Sequence, residues 1–464
     1  MIDGRKNGWV SRQAISGPGI LSILLGIMVS MLISFAVVLI ARQLPDFHLP
    51  ETIILGIPVV GLMMLLIGVL KYDWLVLATF CTIGFVRFEP APFDLLMVLL
   101  LAIGLVTGQL NPPDLKSRPL VWLGLWGLIV ANLLSMLGNG VTSASLRFLG
   151  ITLYVLLLFV FVRMYTVNPQ AMRWLLIGFT VAAVLNAIPV VLGFFGLYLP
   201  FSVVAWSTRG VGFFKDANVF GPFLIVSAFW LIDWVIHRSH RRAHSLLLLA
   251  VAMLLGVGTM LSLSRAAWIN MFLCGCIYLM LLFRHTPRKG LFLLAFGLIL
   301  FLASLVIFES LGLSDVVVAH SHLQDYDRLR FNIQREGLIT GFTSPLGVGP
   351  AGWPNTHSLY VRTFAEQGIL GLAALCVLIV GLALPLARLA LEKGNKSEVI
   401  TASMLLAIIV GQLVNSFVID SIHWRHLWVV LGLAWAYLDV HQKERDKQAA
   451  VSAEKRIGWQ GYPP

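Results

Sequence analysis

This sequence predicts an all-α, polytopic integral membrane protein of about 12–14 transmembrane helices, on three observations. Of its 464 residues, 58% are hydrophobic and only 12% charged, with a mean hydropathy of +0.88. Soluble domains are about half apolar and a quarter charged. Apolar runs of roughly 17–25 residues recur along the whole length, each long enough to cross a hydrocarbon core of about 30 Å. Lys and Arg gather in alternate connecting segments, as they do when spans thread back and forth through a bilayer. The alternating short segments of a β-barrel are not seen.

In chain order the spans are read at 20–41, 52–70, 74–87, 93–109, 119–137, 146–164, 172–198, 218–236, 245–263, 266–283, 290–309, 366–387, 398–414 and 425–440. The first is too long for a signal-peptide core and lacks a small-x-small cleavage site, so it is expected to be retained. The short run at 74–87 and the tight pair at 245–283 set the range in the count. With the N-terminus inside, Arg5/Lys6/Arg12, Lys116/Arg118, Arg238/Arg241/Arg242, Arg284/Arg288/Lys289 and Arg388/Lys393/Lys396 all fall on the cytoplasmic side. Both termini are then cytoplasmic, and the net charge of +11 reports topology rather than a nucleic-acid partner. Cys81, Cys274, Cys276 and Cys376 lie inside apolar runs without metal or redox spacing, and are read as small buried hydrophobes. The expected organisation is N-terminal membrane helices over 1–198, a second membrane region over 199–440 with a periplasmic loop at 310–365, and a cytoplasmic tail at 441–464.

Two outer segments stand apart from the short connections elsewhere, Leu199–Asn218 and Gly312–Glu366. The second approaches about 50 residues, a length that is usually functional or disordered. Within it, QDYDRLRFNIQREG at 324–337 mixes charges with Leu329, Phe331 and Ile333, which predicts a short helix on the membrane surface. Further on, Asn355 or Thr356 is placed to cap a helix carrying His357, Tyr360, Val361 and Phe364 on one face, with Gly368 as its stop.

Four outer features carry polar chemistry. Arg209 and Lys215 precede a membrane helix, whose N-terminal amides and dipole favour anions. Arg265 interrupts two apolar runs. Arg328, Arg330 and Arg335 cluster in the long loop, and His357 is followed by Arg362 and Glu366. Plainer readings exist for each. Arg265 at a tight turn can snorkel to the interface, although an arginine near bilayer depth costs roughly 2.5–3.5 kcal/mol even on lenient scales. Arg362 and Glu366 at i, i+4 spacing make a simple ion pair. Taken together, several arginines and one histidine on the same face suit a diphosphate ligand. Guanidinium forks bind phosphate oxygens bidentately, and an imidazole near neutrality accepts a hydroxyl proton, worth typically 10²–10⁴ in rate. No metal-binding pattern is seen on the outer side, so no metal or cofactor is expected.

These residues resemble a family. Pro345-Leu346-Gly347-Val348-Gly349-Pro350, His357-Ser358-Leu359-Tyr360 and Glu366-Gln367-Gly368-Ile369-Leu370-Gly371 are similar to the signature of the O-antigen ligase and polymerase superfamily. Ser264-Arg265-Ala266-Ala267-Trp268 resembles its second signature, Arg209 with Asp216-Ala217-Asn218 a third, and Arg330 stands where the family carries an arginine ahead of the glycine-rich turn. The resemblance runs from about residue 200 onward. Ser358 stands where many members have Asn. The resemblance implies a metal-independent, inverting glycosyltransferase at the periplasmic face of a bacterial inner membrane. Its donor would be a glycan on polyprenyl (undecaprenyl) diphosphate, held by Arg209, Arg265 and Arg330 with Lys215 nearby. His357, with Glu366, would serve the chemistry, activating a hydroxyl of a glycan or lipid A–core acceptor. A growing lipid-linked glycan as acceptor makes the protein a polysaccharide polymerase, the slightly preferred reading; lipid A–core makes it an O-antigen ligase, and a pilin serine a protein-glycosylation ligase.

Two other classes compete. A polyprenyl-phosphate-sugar-dependent transferase needs acids in the first outer loop, where Asp46 and Glu51 lie, but that loop is only about ten residues long, well under a functional domain. A lipid-linked oligosaccharide flippase needs ionisable groups at the midplane of several spans and an internal repeat, and neither is evident.

Overall fold

The computed structural model describes residues 70–87, 91–197, 209–238, 241–322, 325–354, 357–392 and 399–459. The span expected at 20–41, the one expected at 52–70 (except its last residue), Asp46, Glu51, the proposed caps Asn355 and Thr356, and Lys393 and Lys396 lie outside the described residues. Among the described residues there are fourteen helices and no strand. They are α1 (Tyr72–Cys81), α2 (Pro92–Val106), α3 (Pro119–Asn139), α4 (Ser143–Tyr165), α5 (Pro169–Phe194), α6 (Ala217–Arg238), α7 (Arg242–Leu261), α8 (Arg265–His285), α9 (Pro287–Ser310), α10 (Ser314–Ser321), α11 (Asp325–Thr343), α12 (Leu359–Leu391), α13 (Ala402–Asn415) and α14 (Arg425–Trp459).

Every span expected from 74 onward coincides with one of these helices. Eight of them (α3 to α9 and α12) are long and apolar enough to cross a membrane, while α1, α2 and α13 are shorter and apolar. Helix α14 is buried throughout 426–439 and exposed over 442–451, so the boundary expected at 440 falls within one continuous helix. The cysteines depart from expectation. Cys274 is buried, but Cys81 is only half-buried and Cys276 and Cys376 are exposed, on helix faces rich in exposed Leu, Ile and Phe. Such a face is what a hydrocarbon surround would cover.

Helix starts follow local chemistry. Pro opens α2, α3, α5 and α9, where its missing N–H costs nothing. Thr142, Asn168, Ser264 and Thr401 cap the next helices through side-chain oxygens. Helices α3 and α12 cross closely because Gly124, Gly127 and Gly381 leave no room for a Cβ at the contact, the small-residue packing typical of membrane helices.

Short connectors reverse the chain, which sorts its polar residues to two ends. One end is basic and clamped by ion pairs. Asp439 takes Arg163 at 2.6 Å and Arg118 at 3.0 Å, and the wholly buried Asp233 takes Arg238 at 2.7 Å with Tyr278 and Thr401 hydroxyls at 2.6 Å. Buried charge is tolerable only when paired in this way. The opposite end carries α10, α11 and the Gly/Pro turn, and is called the loop end below.

Candidate active site

Helix α12 is broken where its sequence carries glycine. Gly368 has φ +65° and ψ −164° inside the helical run, a conformation that a Cβ would forbid, and a Cβ there would also overlap the Pro345 carbonyl. The break frees backbone groups, and the turn at 345–350 satisfies them. Ile369 N–H donates to Pro345 O at 3.1 Å, Val348 N–H to Ala365 O at 2.9 Å and Gly349 N–H to Glu366 O at 3.0 Å. Gly347 (φ +79°) presses against the Glu366 carbonyl, and α3 closes the joint through Ser135, which donates to Glu366 O, and Asn139, which donates to Gly347 O at 2.9 Å. The glycine-rich turn is thus a brace for the broken helix.

That brace positions the first residues of α12. Ser358, rather than Asn355 or Thr356, is the N-cap, its hydroxyl accepting from Val361 N–H at 3.5 Å, and helix begins only at Leu359. Ser and Asn cap about equally well, so serine at 358 keeps the capping chemistry that asparagine would supply. His357 therefore lies just before the helix instead of on its face. Its φ is +49°, a left-handed conformation that His adopts more readily than most residues.

Four segments meet at the loop end to form a cavity of about 220 Å³. Arg209, Arg265 and Arg330 all line it. Arg209 arrives from the segment before α6, and its guanidinium donates to Asn218 Oδ1 at 3.1 Å and Ser262 O at 3.3 Å. The same Asn218 Oδ1 accepts from Ser264 Oγ at 2.7 Å, so one amide ties the α6 start to the α8 cap. Burial lowers the Arg209 pKa, with Asp216 and Tyr326 opposing that shift. Arg265 opens α8 and reaches across to α11, where it bonds both carboxylate oxygens of Asp327 at 2.7 Å and the Tyr326 hydroxyl at 3.1 Å. Arg330 packs over the Tyr326 ring, 5.0 Å from its centroid.

Helix α11 is longer than the surface helix expected at 324–337, and it docks on α12 by setting Gly341 and Phe342 against Phe364. Tyr326, Asp327, Arg330, Phe331 and Gln334 share its cavity-facing side, at the spacing of one helix face. Arg328 and Arg335 fall on the other side and are exposed. Gln334 then links the cavity to His357, its amide donating to the His357 carbonyl at 3.4 Å. Burial and Arg330 hold the His357 imidazole below its ordinary 6.5, against the opposing influence of Asp216 and Asp420.

Two expected residues lie apart from these arginines. Lys215 is exposed and lines a neighbouring cavity with Asp216 and His423. Glu366 is 1% exposed and accepts from Arg362 Nε at 3.1 Å, while Arg362 also pairs with Asp420. This buried triad fastens α12 to the connector after α13. The residues not anticipated are Asn218, Tyr326, Asp327 and Gln334. Asn218 stood in a quoted motif without a role. Asp327 was legible as an acid among three arginines, and Gln334 carried no sequence signal.

The arrangement presents guanidinium groups to one partly open cavity, with a half-buried imidazole beside it. It is suited to a ligand rich in anionic oxygens and to a proton transfer next to it. A family model described as O-Antigen ligase matches residues 248–376, from α7 into α12, which includes Arg265, Arg330, His357 and Glu366 but not Arg209 or Lys215. Comparison with curated proteins finds no match.

Proposed function

We propose, from the match of residues 248–376 to a family model described as O-Antigen ligase, that the chain acts in surface polysaccharide assembly and transfers a glycan from a polyprenyl diphosphate to an acceptor hydroxyl. The observation that carries this reading is the convergence of Arg209, Arg265 and Arg330 on one cavity beside His357.

In the proposed step the arginines hold the diphosphate oxygens. The acceptor oxygen attacks the anomeric carbon from the face opposite the diphosphate, inverting it. The new C–O bond forms as the bond to the diphosphate oxygen breaks, and the polyprenyl diphosphate leaves with that electron pair. His357 takes the acceptor hydroxyl proton. Its lowered pKa keeps the imidazole unprotonated at neutral pH, the state a base requires. Charge on the leaving group is met by guanidinium groups that are already in place, so little reorganisation is needed. Glu366 acts by holding Arg362 and hence the α12 entry, a positioning role. Lys215 adds positive potential beside the site. The site faces the periplasm of the inner membrane, and both termini are cytoplasmic.

The acceptor is another lipid-linked glycan in the polymerase reading and lipid A–core in the ligase reading. The purified protein in EDTA, given only a polyprenyl diphosphate oligosaccharide, is expected to build longer lipid-linked chains. Chains that appear only when lipid A–core is supplied would establish the ligase. Absence of any transfer by folded protein with either acceptor would overturn the reading.

A further inference from the structure

A second and larger cavity, about 500 Å³, lies at the loop end among α2, α4 and the start of α14. Among the described residues it shares no lining residue with the arginine cavity. The connector from α13 to α14 separates them, offering Val418 and Ile419 to the first and His423 and Arg425 to the second. A small third cavity joins the second through Val86, His423 and Arg425, and reaches Asp216, two residues from Asn218 in the wall of the first. Asp216, in the wall of the third cavity, and Arg330, in that of the first, both act electrostatically on His357.

The second cavity is built in two halves. Its polar half holds Arg147, Arg425, Asp94, Tyr154 and His423. Arg425 is fixed by both Asp94 oxygens, at 2.7 and 2.6 Å, and stacks over Phe93 at 5.6 Å. The His423 ring is held 3.1 Å from Thr152 Oγ1 and edge-on to Phe148. Burial brings its pKa down to about 4, so it meets a ligand as a neutral donor and acceptor. The other half is apolar, formed by Val86, Ala91, Ile151 and Val155. Cationic forks, sugar-bonding groups and an apolar wall together match a phosphorylated sugar attached to a lipid.

We propose that this second cavity binds the acceptor as a phosphorylated, membrane-anchored glycolipid, which reaches toward His357 through the third cavity. The word acceptor rests on the transfer reaction proposed above; the binding site does not. Gly150 lines the cavity, and a Cβ added there meets nothing within 4 Å among the described residues, so Gly150→Leu fills the space without disturbing packing.

The test is equilibrium binding in phosphatidylcholine nanodiscs, using an Arg209→Ala/Arg330→Ala background that disables the first cavity. The probes are a polyprenyl diphosphate oligosaccharide and, separately, the diphosphorylated disaccharide lipid A. At least one is expected to bind once per chain, and to bind about tenfold or more weakly after Gly150→Leu or after Arg147→Gln, as loss of a charge-assisted contact implies. Retained monodispersity of each variant by size exclusion separates loss of binding from loss of fold. The probe that binds identifies the source of the phosphate. Failure of both probes, or binding indifferent to both substitutions, would overturn the proposal. Binding as expected without transfer in wild type would instead count against the proposed reaction and leave the site standing.

Discussion

Asp327 holds the Arg265 guanidinium through Nη2, which donates to both carboxylate oxygens where a phosphate oxygen could accept instead. A diphosphate entering the cavity competes with this carboxylate, so Asp327→Asn is expected to lower the donor KM severalfold, whereas Arg265→Ala raises it by one to two orders of magnitude. Donor titrations on the two variants check this. At His357 the depressed pKa sets the sign of the pH profile. The base form dominates above the folded pKa, so transfer is expected to fall in acid, with a midpoint below 6.5. An acid limb centred above 6.5 would contradict the assignment. Glu366→Gln tests the positioning role. Arg362 keeps Asp420, so about 1–3 kcal/mol of stability is lost in thermal melts while transfer survives. The three cavity arginines and His357 were legible because cations and a histidine beside a glycine-rich turn stand out in apolar sequence. Their supporting amides were not, because Asn218 and Gln334 matter only through partners distant in the chain.

Helix α12 shows what an element adds to its residues. Its break at Gly368 and the turn at 345–350 form one unit, since each satisfies the other's backbone groups. Gly368→Ala places a side chain in the left-handed region and against the Pro345 carbonyl. The expected loss is at least about 2 kcal/mol, with transfer falling because the His357 entry shifts. Gly297→Ala in α9, where a Cβ meets nothing, is the matched control and is expected to be neutral or stabilising by melting temperature. The stop at Gly368 was readable from the residue type. The helix beyond it was readable as the apolar run at 366–387, but its direct joining to the preceding helix at a break was not, because that depends on the brace supplied by a segment some twenty residues earlier. The expected cap failed for a related reason. Asn355, Thr356 and Ser358 are all good caps by composition, and the left-handed turn at His357 is what delays the helix to Leu359.

Across the whole molecule, alternating helices carry ion-paired basic residues to one end and both cavities to the other. Apolar run lengths made this architecture readable from sequence, because a bilayer constrains span length strongly. Packing was less readable. Exposed Cys276 and Cys376 show that an apolar run does not reveal which side meets neighbouring helices and which meets hydrocarbon. The membrane orientation predicts that a cysteine placed at Arg328 reacts with an impermeant maleimide from the periplasm, while one at Lys443 reacts only after permeabilisation. The central claim is that His357 acts as base on a donor held by arginines, and single-turnover transfer with donor binding measured in parallel tests it most directly. His357→Asn is the variant to compare, since Asn tolerates the left-handed backbone. The account predicts donor affinity near wild type and transfer reduced by about a hundredfold or more. Transfer by folded His357→Asn at the wild-type rate would contradict it.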